Sequence, residues 1–160
     1  MKKRYLFIDA YNVIHATKAL RKTLDYSLDS ARDQLAERVM SIHNADSVHT
    51  VLVLDSQRDS LEVSHPLGKK TFELVYAPGW LSADGVIERL LTRISEPADV
   101  TVASNDAMVR EAARVNGAVT ISANELFDWV CACEKRLTRT AEQRCKANEK
   151  EWKNGIDLDG

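Results

Sequence analysis

Short unbroken apolar runs alternate along this chain with stretches in which apolar residues recur every three or four positions. Residues 5–8 (YLFI) and 50–54 (TVLVL) are two such runs, each closed by an aspartate, Asp9 and Asp55. Neither alternates apolar with polar, which is what a strand covered on both faces of a parallel sheet requires. Residues 71–77 (TFELVYA) alternate in part and predict an edge or near-edge strand. Residues 100–103 (VTVA), closed by Ser104, Asn105 and Asp106, and residues 119–121 (VTI) predict two more.

Helical periods separate these runs. Leu28, Ala31, Leu35, Val39 and Ile42 fall on one face, with Arg32, Asp33, Glu37 and Arg38 opposite, predicting a helix from about Asp29 onward. A second, over 82–94, carries Val86, Ile87, Leu90, Leu91 and Ile94, with Ser82 as its cap. A third, over 106–115, is ended by Asn116-Gly117 in the manner of a left-handed terminus. The last opens with the capping box Ser122-Ala123-Asn124-Glu125 and extends to Trp152. On it Leu126, Val130, Cys133 and Leu137 share a face, so Cys133 reads as core. The alternation predicts an α/β fold: one three-layer domain with a mostly parallel, roughly five-stranded sheet and a long C-terminal helix. The domain is expected over 1–153, with 154–160 a flexible tail. Residues 56–70 (SQRDSLEVSHPLGKK) are expected to form one long irregular surface loop.

Composition narrows the picture. With 160 residues, 44% of them hydrophobic, the chain supports one sizeable core. A net charge of -2 excludes a uniformly basic coat protein and an acidic disordered chain, so a polyanion would have to meet a local basic patch. The apolar run after the basic start stops at Asp9, too short for a signal peptide or a membrane span, and a cytoplasmic protein with no membrane partner is expected. Cys131, Cys133 and Cys145 have neither disulfide nor zinc spacing, and the four histidines have no ligand spacing. No nucleophile elbow or P-loop is present, and no organic cofactor is expected.

The acids carry the candidate chemistry. In open α/β sheets, ligands bind beyond the carboxyl ends of the strands at the switch in strand order. Asp9, Asp55 and Asp106 close three predicted strands, and Asp84 opens the helix after a fourth, with Glu88 one turn on along the same face. Singly, each is as well explained as a backbone cap. Together they form a cluster whose mutual repulsion a hard, oxygen-seeking cation, Mg²⁺ or Mn²⁺, would relieve. Asn12, close behind Asp9, offers a neutral amide to a water or a phosphate oxygen.

These residues carry a resemblance. FIDAYNVI at 7–14, LVLD at 52–55, ADGVIE at 83–88 and ASND at 103–106 resemble, in order, the successive motifs of the YacP-like NYN domains, a branch of the PIN-like ribonucleases. The resemblance implies a metal-dependent endoribonuclease, some members of the family acting on ribosome-associated messenger RNA. It matches Asp9 to the first metal-binding acid, Asn12 to the family's amide, Asp84 to the second acid, and Asp55 and Asp106 to the acids after the second and fourth strands. Ser56 stands where Gly or Ala is more usual, and Ser-Asn-Asp replaces the commoner Thr-Ser-Asp, leaving either Asn105 or Asp106 as the liganding side chain.

Hydrolysis at such a site leaves 5′-phosphate and 3′-hydroxyl ends. Glu88 is a candidate for a water or a second ion, and equally for a solvated helix position. For phosphate grip the chain offers Arg58, Lys69 and Lys70 around the long loop, ahead of Lys18, Arg21, Lys22, Arg110, Arg114 and the basic terminal helix. Trp80 is a candidate base-stacking platform, or else a lid of the helix on the sheet. The rival reading is a PIN-like module that binds RNA or protein without cutting. Tyr11 argues against a haloacid-type phosphatase, whose second Asp would stand there.

Overall fold

The structure, a computed structural model, describes residues 3–156, with side chains placed through residue 140. The chain runs β1 (Tyr5–Asp9), α1 (Ala10–Ala16), α2 (Lys18–Leu24), α3 (Leu28–Asp46), β2 (His49–Leu54), β3 (Glu62–Ser64), β4 (Phe72–Tyr76) and α4 (Ala83–Thr92). A single 3-10 turn, Pro97–Asp99, leads into β5 (Val100–Ala103), followed by α5 (Ala107–Val115), β6 (Val119–Ile121) and α6 (Ala123–Ile156). The strands form one six-stranded sheet ordered β3-β4-β2-β1-β5-β6, in which every pairing is parallel except β3 with β4.

The uninterrupted apolar runs are buried on both faces because both faces are covered. Leu6, Ile8, Leu52 and Leu54 face a core shared with Val13 and Ile14 of α1, Leu35 and Val39 of α3, and Leu126 and Val130 of α6. Phe7, Val51, Val53 and Val102 face the other way, onto Val86, Ile87 and Leu91 of α4 and Val109 of α5. This is the expected three-layer α/β sandwich. From β1 the chain builds outward through β2 and β4, then returns across β1 to lay down β5, so the switch in strand order lies between β1 and β5.

Local signals account for the boundaries. The capping box forms as expected: the Ser122 hydroxyl accepts from Glu125 N at 3.1 Å, and Glu125 Oε1 accepts from Ser122 N at 2.9 Å. Gly117, at φ 87°, ends α5 in the left-handed region that glycine adopts without strain. The α6 face is anchored on α3 by Asp46, whose carboxylate accepts from Trp129 Nε1 at 2.6 Å and from Arg136 at 2.8 Å. Arg38 adds an ion pair to Glu134 at 2.8 Å.

Five expectations are corrected. The loop 56–70 contains β3, a sixth strand, which takes the edge and leaves β4 in the near-edge place its partial alternation allowed. The chain between Asp9 and Leu28 holds the two short helices α1 and α2. Leu137 is 38% exposed rather than core. Ser82 stands at the α4 N-cap position but makes no side-chain cap bond. The helix α6 extends through Ile156, so residues 154–156 of the expected tail continue it, and 157–160 lie outside the described residues.

Candidate active site

Two residue types, acid and amide, reach one edge from four elements. Asp9 ends β1, Asp55 follows β2, Asp84 sits in the first turn of α4, and Asp106 precedes α5. With Tyr11, Asn12, Ala83 and Val109 they line a pocket of about 220 Å³ beyond the carboxyl ends of the strands.

Three of the four acids are held by the frame. Asp9 is only 8% exposed, and its Oδ2 accepts from the Ser104 hydroxyl at 3.1 Å. The Ser104 oxygen in turn accepts from Asp106 N at 3.0 Å, tying the end of β1 to the turn after β5. Asp55 Oδ1 accepts from Ala83 N at 2.9 Å and so satisfies the α4 N-terminus in place of Ser82. Asp106 Oδ1 accepts from Met108 N at 2.8 Å and Val109 N at 3.3 Å, capping α5. In all three, the second carboxylate oxygen takes no hydrogen bond among the described residues.

The amides serve the same frame. Asn12 Oδ1 accepts from Asn105 N at 2.7 Å, and Asn105 Oδ1 accepts from Ala123 N at 2.8 Å. Asn105 is thereby committed to the start of α6, and of the two neighbours it is Asp106 that lines the pocket. Arg110 donates to the Ser104 carbonyl at 3.0 Å, bracing the same turn.

Electrostatics registers the crowding. Burial pushes the Asp9 carboxyl from its ordinary 3.8 up to about 6; the Ser104 hydrogen bond opposes that shift, and the charges of Asp55, Asp106 and Asp84 add to it. The donor set, carboxylate oxygens with unspent lone pairs and mutual repulsion, fits a hard divalent cation. Among the described residues no three His, Cys, Asp or Glu side chains stand close enough together to hold a metal ion.

The other expected site residues fall differently. Glu88 is exposed one turn along α4 and is not among the pocket's lining residues. Trp80 is 67% exposed, so it does not lid helix on sheet; its Nε1 donates to the Asp59 carbonyl at 3.1 Å, and the Arg89 guanidinium stands 5.8 Å from its ring centre. Arg58 stands 4.1 Å over the Tyr76 ring and pairs with Glu62. Lys69 and Lys70 are exposed just before β4, at the end of the sheet opposite the acids, which a five-residue strand separates by about 15 Å. The structure does not bring them to the pocket. Lys69 lines a separate hollow with His43 and Thr71.

Ser104, which ties Asp9 to the turn that carries Asp106, escaped the sequence reading. Ser104 carried a signal, as the small hydroxyl residue between a buried strand and an acid.

A three-layer α/β domain with acids gathered at its strand-order switch is a PIN-like, nuclease-type domain. The chain belongs to the YacP-like NYN domain family, whose family model matches residues 6–159. Its fold is similar to that of Rae1 (YacP) from Bacillus subtilis. A crystal structure of that protein superimposes with a TM-score of 0.73 at 23% identity, covering 98% of this chain and 88% of the other. A Trp-to-Leu mutant of it gives 0.76 at 24% identity, covering 89% and 84%. No curated protein gives a significant match. No helix among the described residues is long and apolar enough to cross a membrane.

Proposed function

We propose that this protein is a metal-dependent endoribonuclease that hydrolyses RNA phosphodiester bonds in the cytoplasm, with messenger RNA, including RNA on the ribosome, as its substrate class. The observation that carries the reading is the convergence of Asp9, Asp55, Asp84 and Asp106 on one pocket at the switch point of the sheet. Those four acids would hold Mg²⁺ or Mn²⁺. When bound, the ion supplies positive charge to the scissile phosphate and lowers the pKa of a water.

The chain's own groups do the rest. Ser104 holds Asp9 in one rotamer and joins it to the backbone that presents Asp106, so the two acids are positioned together. Asn12 fixes the turn that carries both Asn105 and Asp106. Asp55 and Asp106 each spend one oxygen on a helix N-terminus and keep the other for the ion. Trp80 and Arg58, exposed on the flanks, are suited to a splayed base and a phosphate of single-stranded RNA. Glu88, exposed one turn along α4 and outside the pocket lining, is left out of the ion's direct ligands.

The test is cleavage of single-stranded RNA by purified protein with Mg²⁺, Mn²⁺ or EDTA, beside Asp84→Asn. Cleavage that needs the ion and is lost in Asp84→Asn is expected. Wild-type rates in the variant, or in EDTA, would end the reading.

A further inference from the structure

A second cavity, of about 430 Å³, adjoins the carboxylate pocket and shares two of its walls, Tyr11 and Asp55. Its remaining lining includes Arg32, Arg58 and Tyr76. The two compartments differ in kind. The first is small and acidic, suited to an ion and one phosphate. The second is about twice as large and is lined by two tyrosines and two arginines beside the carboxylates of Asp29 and Asp55.

The arginines are fixed rather than waving. Arg58 lies on the Tyr76 ring, 4.1 Å from its centre, and is tied to Glu62 on the neighbouring β3. Arg32, one side of α3, is paired with Asp29 at 3.2 Å and Asp33 at 3.1 Å. These acids offset the cationic charge, so the cavity is not a general polyanion trap. A guanidinium has five N–H donors in a planar fork, and an ion pair that uses one or two of them holds the rest in a set direction. Rings beside oriented forks suit a planar base with a phosphate attached.

We propose that this cavity is the subsite for the nucleotide adjoining the scissile phosphate of single-stranded RNA, with Tyr11 and Tyr76 beside the base and Arg32 and Arg58 on the next phosphate. This rests on the nuclease reading above. It favours single-stranded over duplex RNA, because a base enters only when unstacked and unpaired.

The experiment measures binding of a short fluorescent oligouridylate in Mg²⁺, with Asp84→Asn present in every chain so that the probe persists, and in parallel cleavage by chains that retain Asp84. Tyr76→Leu is expected to weaken binding about tenfold, within the range for losing one base–aromatic contact. Arg58→Ala should flatten the slope of log affinity on log salt by about 0.7, one phosphate contact. In cleavage the losses should fall on KM rather than on kcat. Because Tyr76 packs partly against the core, Arg58→Ala, altered on the surface, carries the test if Tyr76→Leu fails to fold, with Arg32→Gln at a half-buried position beside it. A wild type that cleaves, with all three variants binding as it does, overturns the subsite and leaves the nuclease reading intact. Loss of affinity confined to a Lys69→Ala, Lys70→Ala double variant overturns it equally, since the RNA would then track the far edge. A wild type that neither cleaves nor binds RNA overturns both.

Discussion

Replacing Asp9 by Asn should stabilise the metal-free protein, and by an amount that depends on pH. The side chain is 8% exposed and its carboxyl is raised from 3.8 to about 6. Between those values the folded chain binds more protons than the unfolded chain, so stability falls as pH rises through the window and stays low above it. The full shift corresponds to about 3 kcal/mol above pH 6, and about 1 kcal/mol of it is already felt at pH 4.5. Asn cannot ionise, and its carbonyl can still accept from Ser104, but burying its amide costs about 1 kcal/mol. The net gain is then about 2 kcal/mol at pH 7.5, or roughly 4–8 °C in melting temperature for a chain of this size, and near zero at pH 4.5. Thermal unfolding of both proteins in EDTA at the two pH values measures it. Added Mg²⁺ should then narrow the gap at pH 7.5, because the ion removes the repulsion that Asn removes permanently. An Asn variant less stable than wild type at pH 7.5, or a difference identical at both pH values, would refute the reasoning.

Three further outcomes are expected. Ser104→Ala should lose the hydrogen bond that opposes the rise of Asp9, moving the Asp9 titration, followed by carboxyl-carbon NMR, to higher pH and costing about 1–2 kcal/mol in chemical unfolding. Asp106→Ala should cost about 1 kcal/mol through the lost α5 cap as well as abolish cleavage, whereas Asp106→Asn should abolish cleavage with the melting temperature kept within a few degrees, since Asn also caps. Asp46→Ala, which strips the acceptor shared by Trp129 and Arg136, should lower stability by about 2–3 kcal/mol in urea while RNA cleavage per folded molecule is retained.

What the sequence made legible follows from how each signal is written. β1, β2 and β5 are buried on both faces, so their residues are apolar without interruption, and no other element leaves that mark. The capping box at Ser122 and Glu125 is a reciprocal side-chain pattern at fixed spacing and was readable for that reason. β3 was not, because all three of its residues are exposed, and an edge strand with no buried face has no alternation to detect. α1 and α2, seven residues each, are too short for a helical period to rise above chance. Ser82 and Asp55 exchanged roles for a topological reason: the acid after β2 reaches the α4 N-terminus only because β2 and β4 are neighbours in the sheet.

The four acids read individually as caps and collectively as a candidate site, and at Asp55 and Asp106 the two readings do not compete. Asp55 and Asp106 each use one oxygen on backbone N–H groups that would otherwise be unpaired at a helix start. That bond is what holds the other oxygen at the pocket, so the cap supplies the positioning that a catalytic carboxylate needs. Asp9 reaches the same result through Ser104 rather than through a helix, at the cost of burial and a raised pKa. Lys69 and Lys70 show the limit of the method: they lie in the same loop as Arg58 in sequence, but β3 turns that loop back along β4, so one cation borders the site and the other two are carried to the opposite end of the sheet.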